Sequence, residues 1–526
     1  MSSLVKIKQN NSVTEFLIEP DSHTNSSVLN FLNEKGFFMT APCGSIGICG
    51  GCKIFLISGT LKMLSDNSII NGPAYLKSCR LTFSSGDCEI EIPEKITKKS
   101  LSSRTGQIGD LFDSIRICSA GSPSTHKYGL AIDIGTTNMS IILISLEYGR
   151  IICEKHVINS QIAFAGDVVS RIDLCYRDKA MISVLEACVV EKSIIPTLDL
   201  ILKETLVNPD DISKIVISGN TTMLHLLCGK DPSSMGTYPF TPLFTESIET
   251  TFDKITMHSN CEKAIRAKTT LMPGFSAFVG ADILSGVYAL DLIKTTGNFL
   301  LVDIGTNGEI TLKHNGGLLV TSTAAGPVFE GFGLDCGLTA IDGAISEFYM
   351  HDSEIRFKTI NNEEAIGICG SGYISFLSTA RKASIIDTLG KFKNGDKELR
   401  VKGTSIVITE ADIARILQAK AAISSGIKIV LKNAKLTEQD IKKVYLAGSF
   451  GSNLRKEYAI GSGILGNFNV SQIECVGNSS LAGCYKYILQ NSPSKELTKI
   501  KSLGLTLNLN EDPDFSDTYI DSLFLN

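Results

Sequence analysis

The chain has 526 residues, which at roughly 150 residues per domain predicts three or four domains. Hydrophobic residues make up 43% and charged residues 20%, a balance that is typical of a folded globular chain and excludes a disordered one. Fifty basic and 55 acidic side chains give a net charge of -5, so neither nucleic acid nor an anionic membrane is expected as a partner. The first ten residues form no signal peptide and no apolar run approaches about 18 residues, which predicts a cytoplasmic protein.

The first 95 residues read as one small α+β domain. Alternating apolar residues predict two strands, a polar start and a closing glycine delimit a helix, and two further strands follow a glycine-rich loop. In chain order these elements are Leu4–Ile7, Thr14–Ile18, Asn25–Lys35, Lys53–Ile57 and Cys88–Pro93.

Four of the fifteen cysteines form a C-x5-C-x2-C-x26-C pattern, at Cys43, Cys49, Cys52 and Cys79. Four thiolates suit a [2Fe–2S] cluster, which needs one cysteine pair for each iron, and the glycine-rich loop around the first three allows the chain to turn around the inorganic core. Two alternatives stay open on spacing alone. Cys49 and Cys52 form a possible dithiol, and all four together are a possible tetrahedral zinc site.

With these residues in place, residues 1 to about 95 resemble a plant- or adrenodoxin-type ferredoxin of β-grasp fold, and the loop matches the vertebrate-type C-x5-C-x2-C spacing. In that family the fourth ligand lies just before the last strand. The resemblance therefore implies Cys79 as the fourth ligand and a structural role for Cys88.

Residues 96–127 are rich in Ser, Lys, Thr and Gly and are predicted to be a linker, in which only Ile108–Ile115 resembles a short helix. Beyond the linker, apolar strands that end in glycine turns alternate with helical stretches, which indicates α/β architecture. The segments Asp133–Asn138 and Asp303–Gly308 are similar at an offset of 170 residues and suggest a duplicated lobe. We expect a first lobe at 128–210 and a C-terminal domain at 211–526.

Both similar segments have the chemistry of a phosphate-binding turn. Glycine allows backbone amides to approach phosphate oxygens, Thr136 and Thr137 add donors, and Asp133 can hold a metal-bound water. Alone, the Asp-x-Gly-Thr pattern also fits an ordinary turn. The second copy and the glycine-rich stretch Val444–Asn453 favour a nucleotide cleft.

These three motifs resemble, in order, the two phosphate motifs and the adenosine motif of the sugar kinase, Hsp70 and actin superfamily of ATPases, whose lobes are ribonuclease H-like. The resemblance implies that Asp133 and Asp303 hold Mg²⁺ or its waters. It also implies that Glu309 orients the attacking water, although an exposed strand carboxylate is the alternative for Glu309. The residues implied to bind nucleotide are Gly135, Thr136, Thr137, Asn138, Gly305, Thr306, Asn307, Gly448, Ser449 and Gly451.

A ferredoxin domain ahead of such an ATPase resembles the reductive activators of corrinoid proteins. Further stretches agree, although two of them, Pro273–Asp282 and Ala324–Gly331, also suit packing turns between lobes; the others are Gln161–Arg171, Ser218–Met223 and Gly370–Gly372. The resemblance implies a multidomain enzyme that uses a [2Fe–2S] cluster, ATP and Mg²⁺.

The reaction that the resemblance implies is reduction of a Co(II) corrinoid protein to Co(I) in a methyltransferase system. A reductase or ferredoxin would supply the electron, and a homodimer is possible. Two alternatives from other classes stay open, a small-molecule kinase of the same superfamily and a nucleotide-gated electron-transfer or scaffold protein.

Overall fold

A computed structural model describes residues 3–9, 12–18, 27–35, 37, 39, 52–92, 110–119, 127–255, 266–448, 454–490 and 493–525. The chain divides into two compact units, residues 1–100 with 160–174, and residues 101–159 with 175–526. The predicted boundaries at 95, 127 and 210 remain predictions.

The N-terminal unit contains a five-stranded sheet in the order β2-β1-β8-β3-β6 and a three-stranded sheet in the order β5-β4-β7. Its strands are β1 Ser3–Gln9, β2 Ser12–Ile18, β3 Lys53–Ser58, β4 Thr60–Met63, β5 Ile69–Asn71, β6 Ala74–Lys77, β7 Leu81–Phe83 and β8 Cys88–Glu91. β1 pairs antiparallel with β2 and parallel with β8. The helix Val28–Glu34 begins at Ser27, whose side chain accepts a hydrogen bond from the Asn30 amide. The predicted strand–strand–helix order is therefore confirmed.

The second unit is built on two six-stranded sheets, in the orders β11-β10-β9-β12-β14-β13 and β24-β23-β15-β16-β17-β25, with small sheets β19-β18-β20 and β21-β22 beside them. The strands are β9 Tyr128–Ile134, β10 Asn138–Ser145, β11 Arg150–Ile158, β12 Ile212–Gly219, β13 Ile248–Thr251, β14 Lys268–Leu271, β15 Asn298–Ile304, β16 Gly308–His314, β17 Gly317–Thr323, β18 Ala344–His351, β19 Glu354–Thr359, β20 Gly367–Ile368, β21 Glu398–Arg400, β22 Val407–Thr409, β23 Ile441–Ala447, β24 Ile473–Gly477 and β25 Gly504–Thr506.

The two large sheets repeat one topology. In each, three consecutive strands form an antiparallel meander, β9-β10-β11 or β15-β16-β17. In each sheet, two further strands lie on the free side of the first strand of the meander and run parallel to it. They are β12 and then β14 beside β9, and β23 and then β24 beside β15. The repeated pattern confirms the duplicated lobe that the similar hexapeptides suggest.

Helices cover the sheets, and their buried apolar faces form the core of each lobe. The α-helices after the N-terminal domain are Asp110–Ser119, Val168–Arg177, Ala180–Val189, Ile195–Thr205, Thr221–Leu227, Phe252–Ile255, Ala281–Ala289, Gly370–Lys382, Glu410–Asn433, Lys456–Gly461, Ser479–Leu489, Ser494–Leu503 and Phe515–Asp521.

The helix Asp110–Ser119 lies inside the predicted linker. Its Phe112 ring contacts the Tyr485 ring at a centroid distance of 5.5 Å, and Phe112 and Ile115 are buried. Residues 110–115 of the predicted segment are thus helical, and the helix packs against Ser479–Leu489. This part of the linker packs on the second unit, because the contact removes the apolar side chains of the helix from water.

Candidate nucleotide site and cysteine pair

Two β-hairpins, one at the start of each lobe, carry the predicted phosphate motifs. Asp133 lies one residue before the end of β9, opposite Ser140 on β10, and Asp303 lies one residue before the end of β15, opposite Glu309 on β16. The turn of the second hairpin is one residue shorter than that of the first. Residues 305–307 lie between the last paired residues of the second hairpin, and residues 135–138 lie between those of the first. The duplication therefore places one aspartate at the same position in each lobe.

Four carboxylates interact at this site. Burial, followed by the charges of Asp282 and Asp133, raises the pKa of Asp303 to about 8. Burial and the charge of Asp133 raise the pKa of Asp282 to about 7. The pKa of Glu309 is raised well above its usual range by burial and by the charges of Asp282 and Asp303. A bound cation would favour the charged forms and lower all of these pKa values.

Among the described residues, Asp133 accepts side-chain hydrogen bonds and its counterpart Asp303 accepts none. Asn478 Nδ2 donates to one carboxylate oxygen at 2.8 Å and Ser480 Oγ to the other at 2.7 Å. Burial raises the pKa of Asp133, and these two bonds oppose the rise. The donors come from the start of the helix Ser479–Leu489, where Asn478 Oδ1 also caps the helix by accepting from the Leu481 amide.

A second asparagine holds the first phosphate motif in the same way. Asn220 Oδ1 caps the helix Thr221–Leu227 by accepting from the Met223 amide at 3.0 Å, while its Nδ2 donates to Thr136 Oγ1 at 3.0 Å. Each asparagine thus uses its oxygen to begin a helix and its amide to fix a site residue.

A glutamate joins the two hairpins. Thr137 Oγ1 and Thr306 Oγ1 lie 3.2 Å apart, and both donate to Glu330 Oε2, at 2.6 and 2.8 Å. The two threonines are almost fully buried. The structure therefore brings together the hydroxyl groups that were predicted separately for the first and second phosphate motifs.

Gly448 lies directly against Asp303. Its φ is +89°, and a Cβ placed on it would lie 2.6 Å from Asp303 Oδ1 and 2.6 Å from the Ile304 carbonyl oxygen. Only glycine fits both the backbone conformation and this close approach. Ser449 and Gly451 lie outside the described residues, so their implied contact with adenosine remains a prediction.

The remaining predicted nucleotide residues lie in the two turns. The Gly135 carbonyl accepts from Asn159 Nδ2 at 2.9 Å, and Asn138 is exposed at the start of β10. The Gly305 amide donates to the Asn307 carbonyl at 2.9 Å, and the Asn307 side chain opposes the rise in the pKa of Glu309. Glu309 is only 7% exposed, so it is not the exposed strand carboxylate that the sequence left as an alternative.

In the N-terminal unit, Cys52 and Cys79 are both buried in the domain core. The Cys52 carbonyl accepts hydrogen bonds from the Ser78 amide at 3.0 Å and from Ser78 Oγ at 2.8 Å. These bonds hold the end of the cysteine loop beside the short 3₁₀ helix that carries Cys79. Cys43 and Cys49 lie outside the described residues.

Cys88 has a different setting. It lies on β8 opposite Val5 of β1, and burial raises the pKa of its thiol to about 12. A thiol that resists deprotonation in an apolar core is a poor metal ligand and packs as a small hydrophobic group.

The carboxylates of the candidate nucleotide site suit Mg²⁺, and the two buried cysteines suit an iron–sulfur cluster. Within the residues that the structure describes, no group of three or more His, Cys, Asp or Glu side chains is arranged to hold a metal ion by itself. Open carboxylate sites are typical of Mg²⁺, which retains several waters and is shared with substrate phosphates. Buried cysteine side chains on a loop and an adjoining turn suit the thiolate ligation of an iron–sulfur cluster.

Sequence reasoning missed several side chains at the candidate nucleotide site: Asn220, Asp282, Glu330, Asn478 and Ser480. Asp282 and Glu330 lie in two stretches that also suit packing turns. A helix-capping asparagine was the available signal for Asn220 and Asn478, but a cap shows where a helix begins and not what its free amide contacts.

No helix within the described ranges is long and apolar enough to span a membrane.

Two known proteins are similar to this chain in sequence. The chain is 28% identical over 427 residues to the corrinoid activation enzyme RamQ of Eubacterium limosum, covering 76% of this chain and 71% of the relative. It is 24% identical over 420 residues to the [Co(II) methylated amine-specific corrinoid protein] reductase of Methanosarcina barkeri, covering 71% and 72%.

A solved structure of a reductive activator for corrinoid, iron–sulfur protein is 26% identical, with a TM-score of 0.69, and the match covers 99% of this chain and 98% of that one. A family model described as the RACo middle region matches residues 128–295. A second model, described as the C-terminal domain of RACo, the ASKHA domain, matches residues 297–526. The chain belongs to the family of reductive activators of corrinoid proteins that these models describe.

Proposed function

We propose that this chain is an ATP-dependent reductive activator that returns an inactive Co(II) corrinoid protein to the Co(I) state by one-electron transfer. The observation that carries the proposal is the pair of duplicated hairpins, which bring Asp133 and Asp303 to one cluster of carboxylates and join Thr137 to Thr306 through Glu330. The names of the three similar proteins described above, which are corrinoid activators or reductases, support the choice of corrinoid protein as substrate.

The nucleotide site is proposed to bind ATP with Mg²⁺. Asp133 and Asp303 would hold the metal through its waters, and Asp282 would join them. Thr136, Thr137 and Thr306 would donate to phosphate oxygens. Glu309 would orient the attacking water, which its burial beside Asp303 supports. When bound, Mg²⁺ supplies charge stabilisation for phosphoryl transfer.

The electron carrier is proposed to be a [2Fe–2S] cluster on Cys43, Cys49, Cys52 and Cys79. The bonds between Ser78 and the Cys52 carbonyl support the pairing of Cys79 with the loop. The assignment of Cys43 and Cys49 rests on their spacing. A cluster of this type supplies one electron at a time.

ATP is proposed to supply the free energy that electron transfer from the cluster to cobalt requires. A plant-type cluster has a potential near about -400 mV. If the cobalt couple lies about 100 mV lower, transfer of one electron costs about 2.3 kcal/mol. Binding or hydrolysis of ATP supplies that energy if the nucleotide-bound state binds one state of the partner more tightly.

The remaining parts of the proposal follow from the resemblance. The corrinoid protein belongs to a methyltransferase system, a reductase or ferredoxin supplies electrons to the cluster, and the protein acts in the cytoplasm as a homodimer. None of these points depends on the geometry of the nucleotide site.

ATP turnover in the presence of a corrinoid protein tests the proposal. We expect Mg²⁺-dependent hydrolysis that rises when a cobalamin-carrying protein of a methyltransferase system is added. Asp303→Asn should lower turnover by about 10²-fold or more, because a charge at the phosphoryl centre is lost. Asp352→Asn is the matched control, since Asp352 is an exposed aspartate, and it should retain full turnover.

The same assay separates the alternatives. Phosphate transfer to an added alcohol, with no response to a corrinoid protein, would identify a kinase. Nucleotide binding with no measurable stimulation of turnover would identify a scaffold protein. Either result would overturn the proposal.

A further inference from the structure

We infer that Glu330 occupies the place of a nucleotide phosphate oxygen and must be displaced when ATP binds. The inference rests on the proposed function, because it assumes that Thr137 and Thr306 are phosphate donors. It adds a role for Glu330, which the motif comparison does not assign.

The bonding at Glu330 is the first observation. One carboxylate oxygen, Oε2, accepts from the Thr137 and Thr306 hydroxyls at 2.6 and 2.8 Å. These hydroxyls belong to two hairpins separated by 169 residues in the chain. An anionic oxygen between donors from both phosphate motifs reproduces the interactions that a phosphate oxygen would make with the same two donors.

The donors cannot serve two anions at once. Each threonine hydroxyl has a single hydrogen to donate, and both hydroxyls are buried, Thr137 at 2% and Thr306 at 5% exposure. A phosphate that takes both hydrogen bonds must therefore break both bonds to Glu330. A carboxylate and a phosphate also carry like charges, which would repel each other if both groups lay within hydrogen-bond distance of the same two hydroxyls.

The backbone around Glu330 is tightly packed. The turn Pro327–Glu330 ends at Gly331, where a Cβ would lie 1.9 Å from the Leu338 carbonyl oxygen. On the other side, a Cβ on Gly370 would lie 1.9 Å from the Phe329 carbonyl oxygen. Displacement is therefore expected to begin as a rotation of the Glu330 side chain, with the backbone held between these two contacts.

The inference predicts an unusual direction of effect. Removing a group from a binding site commonly weakens binding, whereas removing a competing anion strengthens it. Glu330→Gln keeps the size of the side chain and removes the charge. We expect it to bind MgATP roughly tenfold more tightly than the wild type, which corresponds to about 1.4 kcal/mol.

The experiment is isothermal titration of the full-length wild type, Glu330→Gln and Glu330→Ala with MgATP. Glu354→Gln is the control, because Glu354 is a half-exposed glutamate that pairs with Arg356 and Lys402 on the surface. Tighter binding by both Glu330 variants, with Glu354→Gln unchanged, supports the inference. Equal or weaker binding by Glu330→Gln overturns it.

Hydrogen exchange gives a second readout that does not depend on affinity. Without nucleotide, Glu330→Ala should exchange faster than the wild type at the amides of both hairpins, because the bridge between them is lost. With saturating MgATP the two proteins should exchange alike. Faster exchange in both conditions would overturn the inference and indicate general destabilisation. A wild type that binds no MgATP at all would refute the proposed function instead.

Discussion

Gly448→Ala tests whether the third glycine motif acts through Asp303. Alanine at φ +89° is strained, at a cost of about 1–2 kcal/mol. Its methyl group would also lie 2.6 Å from Asp303 Oδ1 and from the Ile304 carbonyl oxygen. The Ile304 carbonyl is part of β15, so the contact is relieved mainly by moving Asp303 or the turn, at a further cost of about 1–3 kcal/mol. The expected total is about 2–5 kcal/mol.

A matched control separates the two contributions. Gly316 has φ +78° in the turn between β16 and β17, and a Cβ there would meet no atom within 4 Å. Gly316→Ala should therefore cost only the strain of about 1–2 kcal/mol and leave ATP turnover unchanged. Gly448→Ala should unfold at a lower temperature than Gly316→Ala and should lose about 10²-fold in turnover, because the Asp303 carboxylate is displaced.

The assay combines thermal unfolding of the full chain with Mg²⁺-dependent ATP hydrolysis. For a domain of 150–250 residues, each kcal/mol lowers the midpoint by about 2–4 °C. If the two alanine variants unfold at the same temperature and both retain turnover, Gly448 does not contact Asp303 as described, and the reasoning is refuted.

Three further predictions concern the cluster, the carboxylates and the linker. Cys79→Ala should abolish the cluster absorbance and the iron content of anaerobically purified protein, whereas Cys88→Ala should retain both; normal loading of Cys79→Ala would remove it from the ligand set. Mg²⁺ affinity, measured by titration between pH 6 and 8, should rise by up to about tenfold per pH unit. The reason is that a cation that requires ionised Asp303 must displace a proton from a group with a pKa of about 8. An affinity that does not change with pH would contradict this linkage. Phe112→Ala should release the helix Asp110–Ser119, seen as faster proteolysis in the linker, since truncating a buried Phe costs about 3–5 kcal/mol. Ile520→Ala, at an exposed position, should leave the cleavage rate unchanged, and equal rates for both variants would show that Phe112 does not hold the helix.

The same carboxylates link stability to pH. A raised pKa means that the folded state binds a proton more tightly than the unfolded state. For Asp303 the stability in the absence of a cation therefore falls as the pH rises from about 4 to about 8. Mg²⁺ should reverse this trend, because it stabilises the ionised form.

Local patterns were sufficient to predict, in each lobe, a strand that ends in a glycine turn. The run Leu130–Asn138 combines a buried strand with a glycine turn, and its near-repeat at Leu301–Gly308 indicates that the same structure occurs twice. The first two strands and the helix of the N-terminal domain were also predicted, because alternation in short strands and a polar helix start are signals within a few residues. These features depend on neighbours in the chain.

The contacts that complete the site depend on distant residues. Thr137 meets Glu330 across 193 positions, and Asn478 meets Asp133 across 345. No local pattern distinguishes an asparagine or glutamate in a packing turn from one that reaches a site. The docking of the linker helix has the same origin, since its partner Tyr485 lies in a helix near the end of the chain.

The central claim is that ATP drives the transfer of an electron to cobalt. The most direct measurement is the absorption spectrum of a Co(II) corrinoid protein mixed anaerobically with this protein and a reductant, with and without MgATP. The account predicts conversion to Co(I), or to methyl-Co(III) when the methyl donor and methyltransferase are present, only when MgATP is added. Conversion at the same rate without nucleotide would contradict it.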